Sequence, residues 1–245
     1  MAQYDNNSFL RPAATARPAQ NVDQGLRSYM LGVYNFMAMG VALTGLVAYG
    51  LHAYAMSNPQ FAHLLYHSWL RLVVLFAPIV IVLYLGVRAH RLSVGATQAV
   101  FWLYAAAVGA SISFIFTAYA NISIAQTFFV TAASFAGLSL FGYTTTRDIS
   151  GWSSFLYMGL IGLVIASLVQ LFVHSSALHF AISVIGLLIF AGFTAYDSQA
   201  IKDEYYQVSH DGELMAKASI FGALMLYQDF VGIFMNLLQF MGDRE

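Results

Sequence analysis

Two aspartates interrupt the apolar C-terminal part of the sequence. Asp197 lies in the segment 191–202, and Asp229 lies in the apolar run 218–240. An ionised carboxylate at the centre of a membrane helix costs about 2.5 to 3.5 kcal/mol on insertion scales. Each aspartate must therefore be protonated, paired or hydrated. If the two carboxyl groups meet, they can hold one proton between them, which would suit a pH sensor or an acid–base site.

Polar residues accompany both aspartates at helical spacing. One face of the last apolar run carries residues at i, i+3, i+7 and i+10: Asp229, Gly232, Asn236 and Gln239. Thr194 stands one turn before Asp197, and Gly186 stands three turns before it and leaves room for a close neighbour. We therefore take three residues as candidates for lining a pathway through the bundle: Thr194, Asn236 and Gln239.

A basic residue is predicted at the depth of the first aspartate. Arg88 ends the short apolar stretch 72–87, and Arg71 precedes it. Arginines at both ends of such a stretch can reach opposite membrane interfaces, so it forms one full crossing. We expect Arg88 to pair with ionised Asp197, closing the inner end of a cavity, and to lose that pairing when Asp197 is protonated.

The composition identifies the class of protein. The chain has 245 residues, of which 60% are hydrophobic and 9% are charged, whereas soluble domains carry about 25% charged residues. So few charges cannot cover a water-soluble globule, and the chain is an integral membrane protein. A net charge of −1 gives no basic surface of the kind that binds nucleic acid. Without cysteine there is no thiol nucleophile and no cysteine-bound metal.

The positions of the charges predict the spans. The stretches 29–70, 92–146 and 149–196 lack Lys, Arg, Asp and Glu, and each is long enough for two helices of about 20 residues joined by a tight outer turn. With 72–87 and the last run, the sequence predicts an all-α, polytopic protein of seven transmembrane helices. The predicted bounds are 28–51, 69–87, 98–118, 124–144, 155–173, 178–200 and 218–241. Residues 28–245 form this domain, and 1–27 are expected to be a flexible cytoplasmic tail.

The basic residues also predict the orientation. Along a seven-helix path, eight Lys and Arg fall on one side and two fall on the other, so the positive-inside rule places the N-terminus in the cytoplasm and the C-terminus outside. We expect a multi-pass protein of the inner (plasma) membrane. Five histidines fall on the outer side without metal-ligand spacing, and no metal site is predicted: His52, His63, His67, His174 and His179.

Three segments resemble the Bax inhibitor-1 family, also called the transmembrane Bax inhibitor motif family, and its bacterial branch in particular. They are 142–152, 191–202 and 226–240, and the likeness extends from about residue 25 to the C-terminus. The resemblance implies a central helix wrapped by the others and a pH-sensitive pathway that leaks Ca²⁺. It also implies that Asp197 and Asp229 form a di-aspartyl sensor. Arg88 matches its basic partner, with Arg91 as a second candidate.

The sequence leaves several functions open. The first is a Ca²⁺ leak channel gated by protonation of the aspartate pair, without enzymatic activity or cofactor, and with Ca²⁺ as the transported ion. The second is a regulatory role through membrane-protein partners. The third is an intramembrane aspartyl protease, but the sequence around the aspartates lacks the motifs of those enzymes. A retinal protein is excluded because Lys202 and Lys217, the only lysines, lie in a loop.

Overall fold

The structure, a computed structural model, describes residues 17–88, 91–173 and 175–243. In these ranges the chain forms helices joined by short connections. Their bounds are α1 Arg17–Ser57, α2 Pro59–His67, α3 Leu70–Arg88, α4 Val94–Ile112, α5 Ile115–Ala118, α6 Asn121–Thr144, α7 Trp152–Val173, α8 Ser176–Val208 and α9 Gly212–Met241.

The prediction of seven membrane-spanning helices is confirmed. Among the described residues, seven segments are long and apolar enough to cross a membrane: α1 from Gln24, α3, α4 together with α5, α6, α7, α8 and α9. Charge-free stretches locate spans well because a charged side chain is costly at the bilayer centre, whereas it is tolerated at the interface.

The structure differs from the prediction at both ends of α1. The helix begins at Arg17, so residues 17–27 of the predicted tail are helical, while residues 1–16 lie outside the described residues. Charge marks where a helix leaves the membrane, but a helix can continue into water beyond that point. The expectation of a tight outer turn after α1 is wrong. The short helix α2 occupies this connection, and Asn58 caps it by accepting a hydrogen bond from the backbone N–H of Phe61.

Helix α9 is the centre of the bundle, as the family resemblance implied. It packs against α8, α1, α6 and α4, and 67% of its spanning window is buried, compared with 6% for α3. Tyr227 of α9 is fully buried, and its hydroxyl forms a 2.6 Å hydrogen bond with the hydroxyl of Thr44 in α1. Helices α3 and α7 lie at the periphery, so their large apolar side chains face lipid.

The α8–α9 hairpin has a register set by small residues. Three contacts cross it: Ser183 with Gln239, Gly186 with Asn236, and Phe190 with Gly232. In this register Asp229 lies level with Phe193, one turn from Asp197. At the turn, the carboxylate of Asp211 caps α9 by accepting hydrogen bonds from two backbone N–H groups, at 2.8 and 3.1 Å.

Helix α6 supports α8 through a close backbone contact. Gly142 packs directly on the carbonyl group of Ala195. Two hydroxyl hydrogen bonds lie near this contact: Ser139 with Ser198 at 2.8 Å, and Tyr34 of α1 with Ser139 at 2.6 Å. Small residues permit such an approach, and in lipid this packing replaces the hydrophobic driving force that assembles soluble helices. The contact fixes the face of α8 that carries Asp197.

We predict that Gly142→Ala destabilises the fold by about 1 to 3 kcal/mol, because the new methyl group would collide with the Ala195 carbonyl and force α6 and α8 apart. Thermal unfolding of the purified protein in detergent measures this change. Gly137→Ala is the matched control on the same helix, because no atom lies within 4 Å of its added methyl group. Equal unfolding temperatures for both variants would contradict the close contact.

Candidate functional site

The carboxyl groups of Asp197 and Asp229 meet between α8 and α9. They lie within hydrogen-bonding range of each other. Their positions in the hairpin differ by one turn, but side chains on a helix lean towards its N-terminus. Because α8 and α9 are antiparallel, the two side chains lean towards each other and close that offset. The structure therefore brings together the two aspartates that the sequence singled out.

Both aspartates are buried, with exposed fractions of 5% for Asp197 and 4% for Asp229. Oδ1 of Asp197 and Oδ2 of Asp229 are buried and have no hydrogen-bond partner in the part of the chain that the structure describes. In the described residues, no lysine, arginine or histidine forms an ion pair with either group. The carboxyl of one aspartate is thus the main polar partner of the other.

A hydrogen bond between two carboxyl groups needs one hydrogen, because two carboxylates offer only acceptors. The geometry therefore suits a pair that shares a single proton. Tyr157 of α7 lies close enough to interact electrostatically with both aspartates, and its ring packs on Phe193 at a centroid distance of 5.2 Å. Tyr157 could not be selected from the sequence, since only the packing of α7 on α8 brings it close to the aspartates.

The expected salt bridge between Arg88 and Asp197 is not formed in this structure. Arg88 is exposed at the end of α3, which packs on α4 and α2, whereas α8 packs on α9, α6, α7 and α1. The second candidate, Arg91, is also exposed. A similar depth in the membrane placed Arg88 beside Asp197 in the prediction, but depth does not determine which side of the bundle a helix occupies.

The candidate pathway residues fall into two environments. Asn236 and Gln239 line a groove of about 460 Å³ between α7, α8 and α9, together with Phe190. Thr194 is fully buried, and its hydroxyl donates a 2.8 Å hydrogen bond to the carbonyl of Phe190 on its own helix. Asn236 likewise donates to the carbonyl of Gly232, at 2.8 Å. The structure thus places two of the three candidates on the groove.

A phenylalanine separates this groove from the aspartates. The ring of Phe190 lies on Gly232, where a larger residue would overlap it. Along the α8–α9 contact, the order is Asn236, then Phe190 on Gly232, then Asp229. Phe190 could not be singled out from the sequence, because it is one of many apolar residues in α8. The glycine on the polar face of α9 was the available signal, since it leaves space for a ring.

Hydrogen bonds join the C-terminal half of α8 to the loop between α6 and α7. The side chain of Gln199 accepts a 2.9 Å hydrogen bond from the backbone N–H of Ile149 and donates one of 2.9 Å to the carbonyl of Arg147. Lys202 donates to the carbonyl of Tyr143 at 3.0 Å. These bonds hold the α6–α7 loop on α8, two residues from Asp197. In that loop, hydrogen bonds from Ser150 lower the pKa of the exposed Asp148.

These features define a class: a multi-pass helical membrane protein with a central last helix and a buried carboxyl pair between its last two spans. Residues 26–245 match the family described as inhibitor of apoptosis-promoting Bax1. The chain belongs to this family, the Bax inhibitor-1 family, as its sequence motifs indicated.

Relatives match the chain over most of its length. An uncharacterized protein of Caulobacter vibrioides is 43% identical over 249 residues, covering 98% of each chain. An uncharacterized protein of Rickettsia prowazekii is 41% identical over 237 residues, covering 97% of this chain and 98% of the relative. The inner membrane protein YbhL of Escherichia coli is 42% identical over 223 residues, covering 90% of this chain and 94% of the relative.

We predict that the aspartate pair contributes one buried protonated carboxyl to the infrared spectrum of the purified protein at neutral pH. Asp197→Asn and Asp229→Asn should each remove this band, because the amide then donates to the remaining carboxylate and no shared proton is needed. Asp203→Asn, which alters an exposed carboxylate on the same helix, should keep the band. A band that persists in both single variants would rule out the shared proton.

Proposed function

We propose that this protein is a pH-sensitive calcium leak channel of the inner membrane, gated by protonation of the Asp197–Asp229 pair. The observation that carries the proposal is the contact between two buried carboxyl groups, with which no lysine, arginine or histidine of the described residues forms an ion pair. With one proton, the pair is a hydrogen bond. Without it, two negative charges lie side by side in an apolar bundle, where they repel each other strongly.

The chemistry of the pair suits a divalent cation. Carboxylate oxygens are hard ligands of the type that Ca²⁺ prefers, and aspartates in a pore favour cations. Protons and Ca²⁺ would then compete for the same oxygens. Protonation acts on the leak in two ways under this proposal: it changes the force between α8 and α9, and it changes the attraction for the ion.

The groove between α7, α8 and α9 supports a route to the pair. Asn236 and Gln239 offer amide groups in a mostly apolar wall, and Phe190 on Gly232 stands between them and Asp229. Such a ring is a hydrophobic constriction, which blocks an ion by excluding its water. The structure described here then corresponds to a closed pathway.

The distribution of basic residues supports an orientation. Six described Lys and Arg side chains lie at one end of the bundle: Arg27, Arg88, Arg91, Arg147, Lys202 and Lys217. Arg71 lies at the other end. The positive-inside rule then assigns the N-terminus to the cytoplasm and the C-terminus to the outside. Similarity to YbhL supports the inner membrane. In this orientation the groove belongs to the outer half of the membrane.

A regulatory role through membrane-protein partners is the second candidate, and the description of the family as an inhibitor of apoptosis-promoting Bax1 favours it. A protein that acts only by binding should give no Ca²⁺ flux after purification. Its interactions should also survive Asp197→Asn. Flux measurements on the purified protein therefore separate the two functions.

We predict that Asp197→Asn and Asp229→Asn each flatten the pH dependence of Ca²⁺ flux, because neither variant retains a carboxyl pair. The measurement is Ca²⁺ entry into proteoliposomes that hold a Ca²⁺ indicator, between about pH 5 and pH 8. Asp203→Asn is the matched control on α8 and should keep the wild-type pH profile. Wild-type pH profiles in both single variants would contradict gating by the aspartate pair. The absence of Ca²⁺ flux through the wild type would contradict the channel itself.

We predict that Phe190→Ala increases Ca²⁺ flux several-fold, since it removes the ring that separates the groove from Asp229. The same proteoliposome assay measures this flux, and an impermeant dye retained in the vesicles shows that they remain intact. Phe180→Ala is the control, because Phe180 lies on the same helix but is 57% exposed at the periphery. If both variants raise the flux equally, or if Phe190→Ala leaves it unchanged, the ring is not a constriction.

A further inference from the structure

A second cavity lies at the end of the bundle that carries Arg71, away from the aspartates. It has a volume of about 440 Å³ and lies between α2, the first half of α3, and the end of α4 with α5. Its wall includes Leu65, Val74 and Phe114, and its rim carries His67 and Arg71. The volume falls within the range of about 300 to 1,000 Å³ that is usual for ligand pockets.

The rim of this cavity carries an unbalanced positive charge. Arg71 is exposed, and among the described residues it is the only lysine or arginine at this end of the bundle. No ion pair joins it to a carboxylate in the described ranges. The one described acidic residue at this end, Asp243, accepts a hydrogen bond from the hydroxyl of Ser123 at the start of α6. The cavity therefore combines a cationic mouth with a mostly apolar wall, in which the hydroxyls of Ser111 and Ser113 donate to nearby backbone carbonyls.

The surroundings of the cavity place its mouth at a membrane interface. Helix α2 has nine residues, which is too short to span a bilayer, and it buries Leu65. Trp69, which follows α2, is 73% exposed, and tryptophan favours the headgroup region. Arg71 then lies at headgroup depth, and the apolar wall extends along α3 towards the bilayer centre.

We propose that this cavity binds an anionic phospholipid, with the phosphate on Arg71 and His67 and one acyl chain between α3 and α4. An arginine guanidinium is well suited to phosphate because it donates several hydrogen bonds in one plane. The acyl chain fills the gap at the outer end of α3, whose single buried residue, Leu85, lies at the other end of that helix. The bound lipid thereby joins α3 to α4.

Thermal unfolding of the full-length protein in detergent, with added phosphatidylglycerol or phosphatidylcholine, tests this site. We expect phosphatidylglycerol to stabilise the wild type more than phosphatidylcholine does. Arg71→Gln should raise the phosphatidylglycerol concentration for half-maximal stabilisation about fivefold. Arg88→Gln is the matched control, because it removes an exposed arginine from the other end of the same helix, and it should leave that concentration unchanged.

A second variant tests the acyl-chain part of the site. Ala110 lines the cavity, so Ala110→Leu should fill part of it and weaken stabilisation by phosphatidylglycerol while Arg71 is intact. Should Arg71→Gln fail to fold, Arg71→Lys, which keeps the charge, and Ala110→Leu decide the question. Equal effects of the two lipids, equal shifts in the Arg71 and Arg88 variants, or wild-type lipid response in Ala110→Leu would each overturn the proposal. A change of oligomeric state in the Arg71 variants without added lipid would also overturn the proposal, because the surface around the cavity would then be a protein interface.

Discussion

The contact between two carboxyl groups in an apolar bundle constrains the packing on both sides of it. Lipid provides no water to solvate these groups, so the polar contact that each carboxyl group makes must come from the protein. The contact between Asp197 and Asp229 requires α8 and α9 to keep one register. Glycines at 186 and 232 permit it, because each accepts a side chain of the opposite helix where a larger residue would collide. The site and the close helix packing therefore depend on each other.

Several other polar groups in the same helices have hydrogen bonds within their own helix. Thr194, Ser198 and Asn236 each donate to a backbone carbonyl four residues earlier in their own helix. Their hydrogen bonds do not depend on how α8 and α9 are placed. The polar contact of the aspartates instead runs between α8 and α9, as does the hydrogen bond from Ser183 to Gln239. A proton gained or lost at this pair therefore acts on helix packing, whereas the local hydrogen bonds would remain.

The spans and the aspartate pair could be predicted because both can be read from the order of residues along the chain. Charge-free stretches locate the helices, and a short connection makes α8 and α9 neighbours, so Asp197 and Asp229 could be expected to meet. The sequence does not show where a helix lies around the bundle axis. For that reason Arg88 was placed beside Asp197, although α3 packs on α4 and α2. Tyr157 and Phe190 were missed because apolar and aromatic residues fill every span, and only their packing distinguishes these two.

The two halves of the α8–α9 contact differ, and the carboxyl pair lies at the border between them. On one side is the groove with Asn236 and Gln239, closed by Phe190 on Gly232. On the other side, Ile201 packs tightly on Gly222, and beyond this contact a groove of about 450 Å³ is lined by Tyr205 of α8 and by Ser219 and Ile220 of α9, among others. Gly232 lies one turn after Asp229, and Ile201 lies one turn after Asp197. A separation of the two carboxyl groups would move the helix turns that form both contacts, so the pair couples the closure of the groove at Phe190 to the packing of Ile201 on Gly222.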